Sequence, residues 1–308
     1  MSSQPENVSL YQFFQQFPNE EAAREYFEHN RWAGEVSCPH CGSLSVSPVK
    51  SMKPMPYRCR DCRQHFSVRT GTVLAESRLS LHKWLMAIYM MTTARKGIPS
   101  TQMARELGIT QKSAWFLAQR IRETWLGEQG GDMGDHVQID ETYVGGSEKN
   151  KHARKKLNAG RGTVGKVAVI GIRGTATVKA MPIANTKAAT LQGFIRDNAP
   201  AGATVVTDSH SSYVGIEASG YKHIRVNHSV GEYVRDMAHT NGIESFWALL
   251  KRGHYGIFHY MSAKHLHRYV NEFSFRHNTA QGGTMAFIEA TAGRMLGKRL
   301  TYKDLINA

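Results

Sequence analysis

The chain has 308 residues, 41% of them apolar, which suits about two domains and a sizeable core. Lys and Arg number 39 against 25 Asp and Glu, giving +14 before any of the 15 His is protonated, a surplus that points to an anionic partner, nucleic acid above all, over a protein merely kept soluble by charge. No apolar run approaches the roughly 18 residues of a membrane span, and the start MSSQPENVSLYQFFQQFPNEE lacks the basic and apolar regions of a secretory signal, so a cytoplasmic, reducing setting is expected.

Along the chain, residues 19–30 predict a helix with Asn19 as N-cap and Glu20 and Glu21 at its positive end. Next come two C-x2-C pairs, Cys38/Cys41 and Cys59/Cys62, separated by residues 42–58. Two such knuckles bring four thiolates to one tetrahedral zinc, and a shell closed by four sulfurs has no place for water, so the metal is expected to be structural. Unliganded thiols or a redox pair are the plainer alternatives, and His40 and His65 read as bystanders. A helix is expected from about Leu79, with Leu81, Trp84, Leu85, Ile88 and Met91 on one face. TQMARELGITQKSAWFLAQRIRETW then reads as helix, turn, helix: Gly108 makes the turn, Thr110 caps the second helix, and Ala114, Leu117, Ala118 and Ile121 form its inner face. That is a helix-turn-helix pattern with Gln111, Lys112, Arg120 and Arg122 outside, which offers Lys112 and Arg120 to DNA, although a plain helical hairpin has the same pattern.

EQGGDMGD at 128–135 is a glycine-rich break, after which the texture turns to strands. Strands are expected at 136–146, 166–174, 175–184, 203–210 and 223–226, with a helix at 186–198 capped by Thr186 and amphipathic helices over 239–256 and 264–278. The alternation predicts a mixed α/β layout. Two strands lead into aspartates, Ile139 into Asp140 and Val205–Val206–Thr207 into Asp208, where α/β sheets place their ligands. On the helix that follows, Ile243, Phe246, Trp247 and Leu250 form the buried stripe, and Glu244 and Lys251 share one of its edges. Three converging carboxylates suit Mg²⁺ or Mn²⁺ and in-line phosphoryl displacement, with Lys251 near a phosphate. Each also has an ordinary reading: a strand-end Asp as a cap, Glu244 as the ion-pair partner of Lys251, and Glu141 as a competitor of Asp140 that alternation sends to the opposite face. The stretch 147–166 carries seven Lys and Arg, among them Lys155, Lys156, Arg161 and Lys166, and reads either as a solvated loop or as a phosphate-tracking clamp.

The motifs FPNEEAAREYFEHNRW, CPHCGS, YRCRDCRQHFSVRTGTVL, QIDETYVGG, GRGTVGKVAVIG, VVTDSHSSY, HTNGIESFWALLKRGHYGIFHYMS and KHLHRYVNEFSFRHN occur in this order. Over roughly residues 18–280 the chain resembles the zinc-ribbon DDE transposases of bacterial insertion sequences, relatives of the Merlin superfamily. The resemblance implies a ribonuclease-H-like core in which Asp140, Asp208 and Glu244 match the acidic positions, Lys251 a basic position, and Asn241 a further motif position. It implies Mg²⁺-dependent cleavage at transposon ends and strand transfer into a target, duplex DNA as partner, and a dimer or larger assembly that joins two ends. Asn241 and Arg252 are expected to contact DNA, His210 receives no role, and His228, His239 and His254 read as packing residues, with contact to DNA as the alternative. The expected division is a helix and zinc ribbon at 1–76, a helix-turn-helix segment at 77–127, a catalytic domain at 135–290 and a tail at 291–308. A DNA-binding regulator that has lost catalysis and a ribonuclease-H-type nuclease are the alternatives.

Overall fold

The computed structural model describes residues 7–127, 132–146, 148–157, 162–226 and 240–307. Two compact units divide it, one of Met1–Trp125 with Thr279–Ala308 and one of Leu126–Asn278. Among the described residues no helix is long and apolar enough to cross a membrane.

The first unit opens with α1 (Leu10–Gln16) and α2 (Glu20–Trp32). Asn19 caps α2, its Oδ1 accepting from the Ala22 amide at 3.0 Å, as the sequence predicts. A small antiparallel sheet follows, β1 (Val46–Pro48), β2 (Tyr57–Cys59) and β3 (His65–Phe66), in that order. Then come α3 (Leu81–Thr93), α4 (Ser100–Leu107) and α5 (Gln111–Thr124). Gly108 ends α4 in the left-handed conformation, φ 60°, which is open to glycine without strain. Thr110 Oγ1 then accepts from the Ser113 amide at 3.2 Å and starts α5. The expected inner faces are buried: Trp84, Leu85, Ile88 and Met91 on α3, and Ala114, Leu117, Ala118 and Ile121 on α5.

The second unit is built on a five-stranded sheet of β4 (His136–Val144), β5 (Val167–Arg173), β6 (Val178–Ile183), β7 (Thr204–Thr207) and β8 (Lys222–Arg225). Its order is β6-β5-β4-β7-β8. The β4–β5 and β5–β6 pairs are antiparallel, and β4–β7 and β7–β8 are parallel. This is the ribonuclease-H-like sheet, with β4 at its centre. Between β6 and β7 runs α6 (Ala188–Asn198), whose N-cap is Lys187, one residue past the expected Thr186; Asn185 Oδ1 accepts instead from the Lys187 amide and the Thr190 hydroxyl. After β8 come α7 (Asn241–Gly253), a π-helical turn at His254–Phe258, and α8 (Leu266–Thr279).

Period-2 alternation along β4 and β5 divides the core into two layers. Val137, Ile139, Ile170 and Ile172 pack with Leu191, Phe194 and Ile195 of α6 on one face. Val144 and Val169 pack with Ile243, Phe246, Trp247 and Leu250 of α7, and with Val270 and Phe273 of α8, on the other. The four α7 side chains are at most 3% exposed. Burying each contributes about 1.5–3 kcal/mol, which holds α7 against the sheet.

The chain closes with α9 (Gly283–Gly293) and α10 (Tyr302–Asn307), both in the first unit. The α9 helix packs on α2 and α3, and Trp125 Nε1 donates to Thr291 Oγ1 at 3.1 Å. Residues 283–307, expected as the end of the catalytic segment and a tail, are thus part of the N-terminal unit's fold.

Candidate active site and metal centre

In the ribbon, Cys38, Cys41, Cys59 and Cys62 bring their sulfurs within 4.8 Å of one another. The Cys38–Cys62 and Cys41–Cys59 sulfurs are each 3.6 Å apart. A tetrahedron with metal–sulfur bonds of about 2.3 Å has edges of about 3.8 Å, so four thiolates of this spacing fit one zinc ion. The knuckle turns are made locally: the His40 amide donates to Cys38 Sγ at 3.4 Å, and Gly42 adopts φ 76°. His40 and His65 stand outside the group of four. Rings support the ribbon from behind, with Tyr57 stacked on Phe66 and Trp32 edge-on to both.

In the second unit the sheet register brings the two aspartates to one level. Gln138 pairs with Val206 in the parallel β4–β7 ladder, and Asp140 and Asp208 each lie two residues further on, where β7 has ended. The Asp208 loop is turned by its own side chain, whose Oδ1 accepts from the His210 amide at 2.9 Å.

Glu244 reaches the same region because α7 docks by its first turn. Gln138 Oε1 accepts from the Ile243 amide at 2.9 Å, so a strand side chain satisfies an open helical N–H. Gly242 permits this approach, since a Cβ there would collide with the Arg173 guanidinium and lie 2.6 Å from Gln138 Oε1. Further along, Trp247 lies over Gly171, where a Cβ would come within 2.8 Å of the indole. The Thr240 hydroxyl donates to Glu244 Oε1 at 2.7 Å and holds the carboxylate at the start of the helix.

The three acids share one electrostatic field. Asp140's carboxyl is pushed up to about 7, first by burial and next by the charge of Glu141, with Asp208 and Glu244 adding. The Glu141 amide, donating to Asp140 Oδ1 at 2.8 Å, opposes the shift. An acid held this high by burial and by neighbouring acids is a site that a cation would relieve. The donors are carboxylate oxygens, the set that Mg²⁺ or Mn²⁺ takes. Among the described residues, the four cysteines are the only group of three or more such side chains with ligating atoms all within 4.8 Å. Asp208 and Glu244 thus both act on Asp140, without the three forming a closed cage.

Sequence reading set Glu141 aside as a competitor of Asp140 and passed over Tyr213. Glu141 does take the opposite face of β4, as alternation predicts, but its charge still bears on Asp140. There the buried Tyr213 hydroxyl donates to Glu141 Oε2 at 2.5 Å. Burial raises the Glu141 carboxyl and Asp208 adds to the rise, while the Tyr213 hydrogen bond opposes it. The only signal available in the sequence was the run DET followed much later by DSHSSY.

The expected DNA-contacting residues divide. Asn241, Lys251 and Arg252 are exposed on α7, and Lys156 and Lys166 lie in the described part of the basic segment. Lys112 is exposed with its ammonium 4.5 Å above the Tyr302 ring. Arg120 and Arg122, expected outside α5, are 6% and 2% exposed. The Arg120 guanidinium lies between the rings of Trp84 and Phe116 and donates to the carbonyls of Val73 and Ala75, so its donors are used inside the protein. Arg161, the Lys155 side chain, His228 and His239 lie outside the described residues.

A model of the ISXO2-like transposase domain matches residues 132–278, and one of the transposase zinc-ribbon domain matches residues 18–65. A Halobacterium salinarum relative, "Uncharacterized protein in transposable element ISH50", is 29% identical over 248 residues, 77% of this chain and 83% of its own. A Haemophilus influenzae relative, "Uncharacterized transposase-like protein", is 31% identical over 99 residues, 32% of this chain and 79% of its own. Among solved structures, a pre-cleavage Mos1 transpososome is 11% identical, with a TM-score of 0.28 over 70% of this chain and 79% of that one. A Mos1 paired-end complex is 10% identical, with a TM-score of 0.27 over 68% and 78%. From its ribbon and its catalytic-type domain alike, the chain belongs to the family of ISXO2-like transposases with a transposase zinc ribbon.

Proposed function

We propose that this transposase binds the ends of its element and catalyses metal-dependent DNA strand cleavage and strand transfer at Asp140, Asp208 and Glu244. The observation that carries the reading is the Asp140 carboxyl, raised to about 7 by burial and by acids that include Asp208 and Glu244. Asp140 and Asp208 would hold a divalent cation from the ends of β4 and β7, and Glu244 from the first turn of α7. Bound there, Mg²⁺ or Mn²⁺ neutralises phosphate charge and lowers the pKa of the attacking water or 3′-hydroxyl. The protein's own part is positional. Gln138 and Gly242 fix the α7 approach, Thr240 orients Glu244, and the His210 amide orients Asp208. Lys251, exposed on the face of Glu244, serves a phosphate as a point charge.

Lys112, Lys155, Lys156, Arg161, Lys166, Asn241 and Arg252 are proposed to track DNA, with Lys112 on the helix-turn-helix segment, Asn241 and Arg252 on α7 and the others in the basic segment. Arg120 is withdrawn from that set by its burial. The ribbon holds zinc, two protomers join two ends, and the setting is cytoplasmic, on the nucleoid. The test incubates purified protein with DNA carrying the inverted repeats that flank its gene. Wild type in Mg²⁺ is expected to cut and join strands, and Asp208→Asn to lose at least a hundredfold in rate. Equal cleavage by Asp208→Asn defeats the mechanism. Binding without cleavage by wild type favours the regulator, and cleavage confined to RNA favours the nuclease.

A further inference from the structure

The outer face of α7 continues past its acid. At about 100° per residue, Glu244 and Lys251 fall within about 20° of one line on α7, with Ala248 between them in the chain, and Tyr255 follows within the π-helical turn. All four are exposed. Eleven residues separate Glu244 from Tyr255, a rise of about 16 Å. The line runs into the π-helical turn at His254–Phe258, a distortion that recurs at functional sites. Two aromatic side chains are left facing solvent, Tyr255 at 55% and Tyr260 at 74% exposed.

Tyr255 and the turn that carries it are not loose. His254 is buried and meets the Tyr255 ring edge-on at 4.7 Å, and Phe258 meets Tyr269 at 4.9 Å. The turn is pinned from inside while its rings stay outside. The charge is one-sided as well: from Ser245 to Asn271 there is no acid, against the exposed Lys251, Arg252 and Lys264. Exposed aromatic rings among basic side chains are how proteins hold single strands, since every base has a face to stack and every nucleotide a phosphate to neutralise.

We propose that the face running from Glu244 through Lys251 to Tyr255, with Tyr260 beyond it in the chain, is a track for single-stranded DNA. On it Tyr255 and Tyr260 stack unpaired bases a few nucleotides from the cleaved phosphate. The inference rests on the strand-transfer reading and adds the form of DNA held at the site, a frayed strand end as distinct from intact duplex.

The test uses the full chain with its ribbon zinc and no added Mg²⁺ or Mn²⁺, so that cleavage plays no part. Binding is measured for a mixed-sequence oligonucleotide of about 20 nucleotides, longer than one such site, and for its blunt duplex. Tyr255→Ala and Tyr260→Ala are each expected to weaken single-strand binding about tenfold and duplex binding less than twofold. Tyr255→Phe, which keeps the ring, is expected to bind as wild type does, and thermal melts check that each variant folds. Equal loss for both DNA forms, no loss for either, or a Phe variant as weak as the Ala variant overturns the track. So does an unchanged DNA affinity with an altered oligomeric state, which would make the face a protein interface. Wild type binding neither form defeats the DNA-processing reading itself, a result separate from a failed tyrosine effect.

Discussion

With its carboxyl pushed up to about 7, Asp140 sets the pH behaviour of the second unit. An acid whose pKa is raised on folding contributes stability that is present below its unfolded value, near 3.8, and lost as pH rises through about 7. With zinc bound and no other divalent cation added, this contribution is expected to fall from pH 5 to pH 8, against the rising contribution of His223, His254, His265 and His277, whose pKa values burial lowers. Asp140→Asn removes the charge and should flatten that profile, stabilising the unit at pH 8 by about 1–3 kcal/mol once solvent relaxation is allowed for. A variant that melts lower at pH 8 on an unchanged profile would contradict this. Tyr213→Phe tests the neighbouring pair. It leaves the half-buried Glu141 carboxylate without its hydroxyl donor, and about 1–2 kcal/mol of stability should be lost in denaturant titration. At this scale the sequence displays what ends a strand and hides what folds over it. Asp140 and Asp208 were legible because the first ends the alternating Val137–Gln138–Ile139 and the second follows the β-branched run Val205–Val206–Thr207. The Tyr213–Glu141 bond joins residues far apart in the chain, which no local pattern encodes. Arg120 was misread for a related reason: a helical arginine reads as solvated until Trp84 and Phe116 are known to enclose it.

Among the elements, α7 carries the most weight because its buried stripe and the proposed Glu244–Lys251 face share one helix. Its docking depends on two close approaches, and one is open to a direct test. Gly171→Ala places a Cβ within 2.8 Å of the Trp247 ring, and overpacking of this kind costs about 1–3 kcal/mol. Trp247→Leu makes room, so the double variant should lose less than the sum of the single losses in thermal melts. Strict additivity would mean that the two positions do not meet. The ribbon gives a second test. Removing zinc with a chelator, or making Cys59→Ser, should unfold the region around β1–β3 and release one zinc per chain by metal analysis. Retention of near-native structure there after metal removal would contradict a metal-held ribbon. The α7 stripe and the C-x2-C pairs were readable from spacing alone. The α9 helix was not, since GTMAFIEATAG has small residues on every side and no amphipathic period.

For the whole molecule, chain order and spatial order differ. The first unit is completed by residues that follow the second in sequence, with α9 on α2 and α3 and the Val73 amide donating to the Met295 carbonyl. A chain ending at Asn278 is therefore expected to lose the fold of its N-terminal unit, leaving Trp125 without Phe287 and Thr291. Residues 126–278 expressed alone should keep their sheet, a contrast that hydrogen exchange of the two truncations can read. Sequence reading placed the break near the glycine-rich segment, because composition changes there, and missed the return because contacts that distant leave no periodic trace. The central claim is that Asp140, Asp208 and Glu244 act together as a divalent-cation site, and manganese binding to the full chain, followed by electron paramagnetic resonance at pH 8, tests it most directly. Wild type should bind Mn²⁺ beyond its zinc, and Asp140→Asn, Asp208→Asn and Glu244→Gln should each weaken that binding at least tenfold while melting as folded proteins. Undiminished Mn²⁺ binding in all three folded variants would contradict the claim.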